Sequence, residues 1–214
     1  MLRKWAHIEK RVFTSQEAEC VVEAFKSSPT PLFLRIATDV AIRWSSKFSP
    51  VSSWDFTGKG AAGGDAVGVI IRDHVFKYLE KVHGEKLVQH AFAYMAASRH
   101  GLSSTDIEHI LSCDDEVLNV VYEWWRPPVR RLPPSLWVRL LEDVLNYVVE
   151  QGVYGVTVIN WYHRQFWEAA EKYCLGDAET KDKVCVCVCV CVCVCVCVCV
   201  CVCVCIVIHE HTYT

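Results

Sequence analysis

The stretch Asn160-Trp161-Tyr162-His163-Arg164-Gln165-Phe166 joins a β-prone segment to an amphipathic helix. The β-prone run Gly-Val-Thr-Val-Ile at 155–159 leads into it, and a helix predicted over 165–174 follows. His163 is therefore expected at a strand-to-helix junction. Free backbone N–H groups at a helix N-terminus suit an anion, so the position permits phosphate sensing. The neighbouring residues supply no complete catalytic apparatus.

Short helical patterns precede this junction. Gly84 and Gly101 punctuate them, and the acidic pair Asp114-Asp115 suits the positive end of a helix dipole. We predict helices at 69–83, 85–99, 103–111, 114–124 and 135–150, with a stiff proline-rich connector at 126–134. Short helices, then a β element, then a helix suggest a winged-helix arrangement, in which residues 101–124 resemble a helix-turn-helix.

Two helices are predicted near the start of the chain. Residues 14–17, Thr-Ser-Gln-Glu, form a capping box that opens a helix running to about Lys26. Thr30 and Pro31 supply the N-cap and the first position of a second helix. That helix is apolar almost all round, so we expect it to be buried against other helices.

Residues 45–68 are rich in Ser, Gly and Pro and predict a linker or mobile loop. The segment 58–63, Gly-Lys-Gly-Ala-Ala-Gly, matches the G-x-G-x-x-G spelling of dinucleotide-binding loops. It lacks the preceding strand and the following helix that this interpretation requires. The phosphate-loop interpretation also fails, because Ser53 replaces the first glycine and Gly60 the required Ser or Thr.

Residues 184–205 alternate strictly between Val and Cys. Four interpretations compete: a strand, a membrane span continuing to residue 208, a soft-metal site built on C-x-C spacing, and a translated GT dinucleotide repeat. We favour the last and predict a low-complexity tail over 177–214, in which His209 and His211 are incidental and hold no metal. Such a run is β-prone and uncharged, which makes it an aggregation hazard.

Composition narrows the class of protein. Only Cys20, Cys113 and Cys174 lie outside the repeat, so no disulfide framework is expected and a reducing compartment is favoured. The net charge of −3 argues against a dedicated nucleic-acid binder. No signal peptide is predicted at the N-terminus, so a cytoplasmic location is expected.

Several short sequence segments together resemble the STAND class of NTPases, specifically NACHT proteins with WD repeats or TPR repeats downstream, as in nephrocystin-3-like proteins. The resemblance is weak over 14–44 and good over 69–175. The segments that carry it are Pro-Leu-Phe-Leu-Arg at 31–35, Ala-Ser-Arg-His-Gly-Leu-Ser at 97–103, Asp-Asp-Glu-Val-Leu at 114–118, Pro-Pro-Val-Arg-Arg-Leu-Pro-Pro at 127–134 and Trp-Tyr-His-Arg-Gln-Phe at 161–166.

The resemblance implies a domain order. Residues 1–44 would be the end of a NACHT-associated helical subdomain, 45–68 a linker and 69–176 a winged-helix domain. It also implies two nucleotide-binding residues: Pro31, packing near the adenine, and His163, contacting the β-phosphate of ADP. Arg164 stands where relatives often carry aspartate, and the glycine-rich stretch 55–68 departs from the helical sequence of the family.

The chain contains no phosphate loop and no apolar strand ending in acids to hold Mg²⁺. We therefore expect no catalytic residues, no ATP hydrolysis and no cofactor held by this chain alone, with ATP or ADP bound in the full-length family. The resemblance implies partners in cis, a NACHT ATPase core and WD or TPR repeats, together with protein partners. We expect a regulatory fragment of a signalling switch and no nucleic acid or membrane partner.

Two other classes remain as alternatives. A DNA-binding winged helix would use arginines for phosphates, yet its presumed recognition helix begins with three acids. A membrane-tethered interaction protein would use 184–208 as its span. The arginines in question are Arg126, Arg130, Arg131 and Arg139.

Other side chains are assigned to structure rather than to chemistry. Trp124, Trp125, Trp137 and Trp161 are expected on core faces. Cys113 and His109 lie four residues apart and are expected to pack. The remaining residues in this group are Glu80 and Glu85, expected as surface charges, and His83, His90 and His100, which lack ligand spacing.

Overall fold

The computed structural model describes residues 2–8, 10–44, 65–124, 127–153, 155–176, 180–182, 184 and 188. Two compact units, 1–78 and 79–214, make up the chain. The described part is mainly helical with one antiparallel pair of strands, which confirms the predicted mainly helical fold with a small β element. The G-x-G-x-x-G segment, Trp125, Arg126 and nearly all of the Val-Cys repeat lie outside the described residues.

The first unit is built from short helices. Its elements are α1 (Leu2–Ile8), α2 (Ser15–Ser27), α3 (Pro31–Ile42), α4 (Ala66–Ile70), a π-helix (Ile71–Phe76) and the start of α5 (Lys77–His83). The predicted capping box is present, because Thr14 Oγ1 accepts from the Glu17 N–H while Glu17 Oε2 accepts from the Thr14 N–H. Thr30 likewise caps α3, with Pro31 at its first position.

Helix α3 is the centre of this unit. It packs against α1, α2, α4 and the π-helix, and Phe33, Ile36 and Ala37 are fully buried, as its nearly uniform apolar surface predicted. Arg11 links α2 to the end of α3. Its guanidinium donates to the Ile42 carbonyl at 2.6 Å and to the Glu17 carboxylate at 3.0 Å.

Helix α4 begins three residues before the predicted start, because the Asp65 carboxylate caps the Gly68 N–H. The π-helix after it contains more residues per turn than an α-helix. One series of buried side chains recurs every four residues from Val67 to Leu79, and His83, in place of Val82, continues it. The apolar period of the helix predicted at 69–83 places Val82 on its buried stripe; Val82 is 51% exposed, so that prediction is wrong.

Hydrogen bonds from Arg72 and Lys77 within this helical run lower the pKa of Asp73 to about 2, against the effect of partial burial.

The second unit contains the end of α5, further helices and a hairpin. In chain order the remaining elements are α6 (Glu85–Ala97), α7 (Ser104–Cys113), α8 (Asp115–Val121), α9 (Pro134–Val144), a 3₁₀ turn (Leu145–Tyr147), β1 (Val148–Val153), β2 (Val156–Trp161) and α10 (Arg164–Cys174). Ser103 opens α7 with a second capping box, which it forms with Asp106.

Strand β1 corrects the prediction that one helix would run from residue 135 to 150. Helix α9 ends at Val144, and β1 pairs with β2 in the register Val148–Trp161 to Val153–Val156. β-Branched Val148 and Val149 favour a strand, and a pairing partner further along the chain outweighs the helical period that preceded them. Gly155, with φ of +83°, makes the turn between the strands.

A third short segment joins the hairpin. Leu102 exchanges two backbone hydrogen bonds with Ile159 of β2, at 3.2 and 2.8 Å. Gly101 makes this approach possible, because its φ is +81° and an added Cβ would lie 2.7 Å from the Ile159 carbonyl oxygen. The turn between α6 and α7 is thereby fixed to the strand that leads to His163.

Replacing Gly101 with alanine is expected to reduce the free energy of unfolding by about 1–3 kcal/mol, the range for a strained backbone conformation. Gly152→Ala is the matched control, since nothing lies within 4 Å of its added Cβ and its φ is not positive. Urea titrations of both variants would decide the point. Equal midpoints would show that the contact at Gly101 is not the constraint described.

Aromatic side chains fill the space beneath the hairpin. Phe166 stacks on Tyr147 and Trp161 with ring centroids 4.8 and 5.9 Å apart, and Phe92 meets Trp161 edge-on at 5.1 Å. Trp137 is fully buried and donates from Nε1 to Ser104 Oγ at 2.6 Å. Helix α10, β2 and α6 are therefore held around one core.

Candidate functional site

His163 lies at the strand-to-helix junction, as predicted, and is the N-cap of α10. Its Nδ1 accepts a hydrogen bond from the Gln165 backbone N–H at 3.2 Å. Because Nδ1 is an acceptor, the proton of the neutral ring is on Nε2, which is a donor. The ring is half-buried, and Nε2 has no hydrogen-bond partner among the described residues.

The position of His163 is set by the elements on either side. Phe166, one turn into α10, is part of the aromatic core, and Trp167 donates from Nε1 to the Ala96 carbonyl of α6 at 2.8 Å. Tyr162, just before the cap, donates its backbone N–H to the Tyr147 carbonyl at 2.9 Å. The imidazole therefore stands on a well-anchored helix start.

Pro31 is in the first unit, exposed at the first position of α3. Helix-start geometry explains a proline there, because the N–H it lacks would have no partner within the helix. Pro31 and His163 belong to different units, and each has a local structural role. Their assignment to a nucleotide remains a prediction.

A polar cluster that the sequence did not predict joins α6 to α8. The Asp114 Oδ2 atom lies 2.5 Å from His90 Nδ1 and accepts from Tyr94 Oη at 2.5 Å. Asp114 Oδ1 caps α8 by accepting from the Glu116 and Val117 N–H groups. Burial would raise the pKa of Asp114, but the hydrogen bonds from His90 and Tyr94 hold it below its ordinary value.

His90 lacks metal-ligand spacing, but the sequence contains another signal for its role. Lys86, His90 and Tyr94 are spaced by four, which places all three on one stripe of α6. The acids at the start of α8 are the matching signal. Neither pattern shows, by itself, that the two faces meet.

A cavity of about 590 Å³ adjoins this cluster, with walls from α6, the start of α8 and the end of α10. Val184, the first valine of the Val-Cys repeat, also lines it, and both Val184 and Val188 are buried. These two described residues of the repeat therefore pack.

Glu80, predicted as a surface charge, is half-buried near the end of α10. It accepts from Gln89 Nε2 at 3.0 Å and from Tyr173 Oη at 3.2 Å. Burial, and then the charge of Glu80, raise the pKa of Tyr173 above its ordinary value and that of the Cys174 thiol to about 12. Cys174 is accordingly a protonated, unreactive thiol at neutral pH.

Of the arginines behind the DNA-binding alternative, Arg130 is engaged within the chain. Arg130 donates to Asp115 at 3.0 Å and to Asn119 at 2.9 Å, so it is tied to α8. Arg131 and Arg139 are exposed. The acids at the start of α8 face the partner side chains they pair with, and would repel a phosphate backbone.

The expectation that tryptophans occupy core faces is confirmed for Trp137 and Trp161, which are buried. It is wrong for Trp124, which is 93% exposed. Helix α8 ends at Val121, so Trp124 follows the helix and does not share its buried face.

Within the described ranges, no helix combines the length and the apolar character needed to cross a lipid bilayer. The segment considered as a span, 184–208, lies outside those ranges except for Val184 and Val188.

Comparison with known proteins identifies relatives of the chain. It is 33% identical to mouse NACHT domain- and WD repeat-containing protein 1 over 177 residues, which are 81% of this chain. The chain is related in sequence to NACHT and WD repeat proteins. The human protein 1 is 44% identical over 107 residues, 48% of the chain, and the mouse NACHT and WD repeat domain-containing protein 2 is 29% identical over 170 residues, 78% of the chain.

The chain corresponds to a small part of these NACHT and WD repeat proteins. The matched regions are 7%, 11% and 9% of the human protein 1, the mouse protein 1 and the mouse protein 2. The WD-repeat side of the resemblance is thus supported, whereas the TPR side stays a prediction. No protein-family model matches the chain. No solved structure matches it.

Proposed function

We propose that this chain is a regulatory segment of a NACHT-type signalling switch, which closes on a nucleotide-binding core when ADP is bound. The main observation in support of this proposal is the similarity to NACHT and WD repeat proteins over about four-fifths of the chain. A core and WD repeats in cis, protein partners and a cytoplasmic location are part of this proposal.

The arrangement of the second unit supports a winged-helix role. Helices α7 and α8 follow each other through a turn capped by Asp114, and the β1–β2 hairpin comes later in the chain as a wing would. An isolated backbone bridge between Leu102 and Ile159 of β2 places a third chain segment beside the hairpin. Helix α10 then begins at His163.

His163 is the contact that we propose for the nucleotide. Its Nε2 is the donor of the neutral ring, and a phosphate oxygen is an acceptor, so the two are complementary. A ligand shifts a conformational equilibrium only through unequal contacts in the two states. In this proposal the bond from Nε2 forms only when the segment has closed on the ADP-bound core.

Catalysis is not part of the proposed role. The chain supplies neither a phosphate loop nor the acidic residues that hold Mg²⁺, so hydrolysis of ATP would belong to the core. The chain by itself is expected to show no ATPase activity above a buffer blank.

Two variants test the role of His163, because the residue both caps α10 and offers Nε2. His163→Asn keeps a good N-cap and removes the Nε2 donor, while His163→Ala removes both. We would measure binding of the chain to the isolated NACHT core of the mouse protein 1, loaded with ADP or with ATP. The wild type is expected to prefer the ADP-loaded core, and both variants to lose about tenfold in that affinity.

The asparagine variant separates the outcomes. If His163→Asn binds the ADP-loaded core as tightly as the wild type, His163 is only a helix cap. If the wild type binds neither form of the core, the switch proposal itself is wrong.

A further inference from the structure

The start of α8 carries three consecutive acids, and each faces a base from another element. Asp114 meets His90 of α6 at 2.5 Å, Asp115 meets Arg130 of the connector at 3.0 Å, and Glu116 meets Lys86 of α6 at 2.8 Å. Arginine and lysine are charged at every physiological pH, whereas histidine gains and loses its proton there. The three pairs therefore balance in charge only when His90 is an imidazolium.

The hydrogen bonds fix where the ring proton lies in the neutral form. Asp114 Oδ2 already accepts from Tyr94 Oη, and an ionised carboxylate has no proton to give. His90 Nδ1, 2.5 Å from the same oxygen, must therefore be the donor. The neutral ring then turns the lone pair of Nε2 toward Glu116 Oε2, 3.8 Å away, so that two acceptors face each other.

We propose that His90 is a proton-sensitive latch between α6 and α8, in which uptake of a proton at Nε2 fastens the two helices together. Protonation turns Nε2 into a donor that faces the Glu116 carboxylate and adds a charge to the hydrogen bond with Asp114. No bond between heavy atoms changes. The inference stands independently of the proposed function.

The other groups around the ring act in both directions. Lys86 shares the Glu116 oxygen and opposes a second positive charge nearby, while Asp114 and Glu116 favour it. The remaining cavity residues with titratable side chains are Tyr94, Cys113, Asp115, Tyr173 and Cys174. None of these adds a cation, and Asp115 is paired with Arg130, so the carboxylates of Asp114 and Glu116 oppose one ammonium group.

Burial makes the His90–Asp114 contact stronger than the His90–Glu116 contact. The side chains of His90 and Asp114 are 22% and 9% exposed, so their pair is only weakly screened by water and salt. Glu116 is 65% exposed, and its contribution is correspondingly smaller.

The test uses the full 214-residue chain under reducing conditions. Long-range ¹⁵N–¹H correlation spectra of the His90 ring at pH 8 should show the proton on Nδ1. Thermal unfolding at pH 6 and pH 8 is then compared with His90→Asn, whose amide replaces the Nδ1 donor and does not titrate. On lowering the pH from 8 to 6, the wild-type midpoint should move upward relative to that of the variant by about 2 °C or more.

Glu116→Gln provides a second comparison, because it removes the carboxylate that faces Nε2 and leaves Asp114 in place. It is expected to show a pH response between those of the wild type and His90→Asn. The latch is refuted if His90→Asn responds to pH as the wild type does. It is also refuted if the neutral wild-type ring carries its proton on Nε2, a result that does not depend on how any variant folds.

Discussion

Phe166→Ala is expected to lower the free energy of unfolding by about 3–5 kcal/mol, as is usual when a large buried aromatic side chain is removed. Phe166 is 1% exposed and stacks on both Tyr147 and Trp161. The change opens a cavity where α10, the 3₁₀ turn and β2 meet, and the rigid rings around it allow little collapse. Urea unfolding followed by circular dichroism measures the loss.

Tyr162→Ala is the matched control, since it removes a neighbouring aromatic side chain that is 68% exposed. Its effect is expected to stay within about 0.5 kcal/mol. Phe166→Leu keeps most of the volume and should cost less than about 1.5 kcal/mol. A loss at Phe166→Ala no larger than that at Tyr162→Ala would contradict the description of this core.

The second large effect is expected at Asp114→Ala. The variant loses the cap of α8, worth about 1 kcal/mol, and leaves His90 and Tyr94 without their shared acceptor, which costs about 1–3 kcal/mol more. Asp115→Ala is the control, because it removes an adjacent acid whose side chain is 80% exposed, and little change is expected. Equal midpoints for the two variants would show that the cluster contributes no stability.

Acid unfolding provides a further measure of the same residue. The pKa of Asp114 is lower in the folded chain than its ordinary value of 3.8. Its contribution is therefore complete above that value and is lost as the pH falls through the folded pKa. Asp114→Ala should lose less stability over that acid range than the wild type does.

Local signals in the sequence predicted much of this fold. The caps at Thr14 and Thr30 were recognisable because each side chain acts on backbone groups within its own first turn. The prediction that His163 lies at a helix start is confirmed for the same reason, since it also rests on neighbouring residues. Such short-range interactions do not depend on the rest of the chain.

The errors arose where distant residues decide the outcome. Residues 148–150 have a helical period behind them, but pairing with β2 makes them a strand. Val82 is exposed because the π-helix changes the residues per turn, which no local pattern showed. The meeting of His90 with Asp114 joins residues 24 positions apart, and only packing brings them together.

The bond between His163 and the Gln165 backbone limits what that imidazole can do. A proton relay takes up a proton on one ring nitrogen and releases another from the opposite nitrogen. Because Nδ1 already accepts a hydrogen bond from a main-chain N–H, the ring can donate from Nε2 to one acceptor. It cannot pass a proton from one ring nitrogen to the other side. The ring is therefore not arranged to conduct protons.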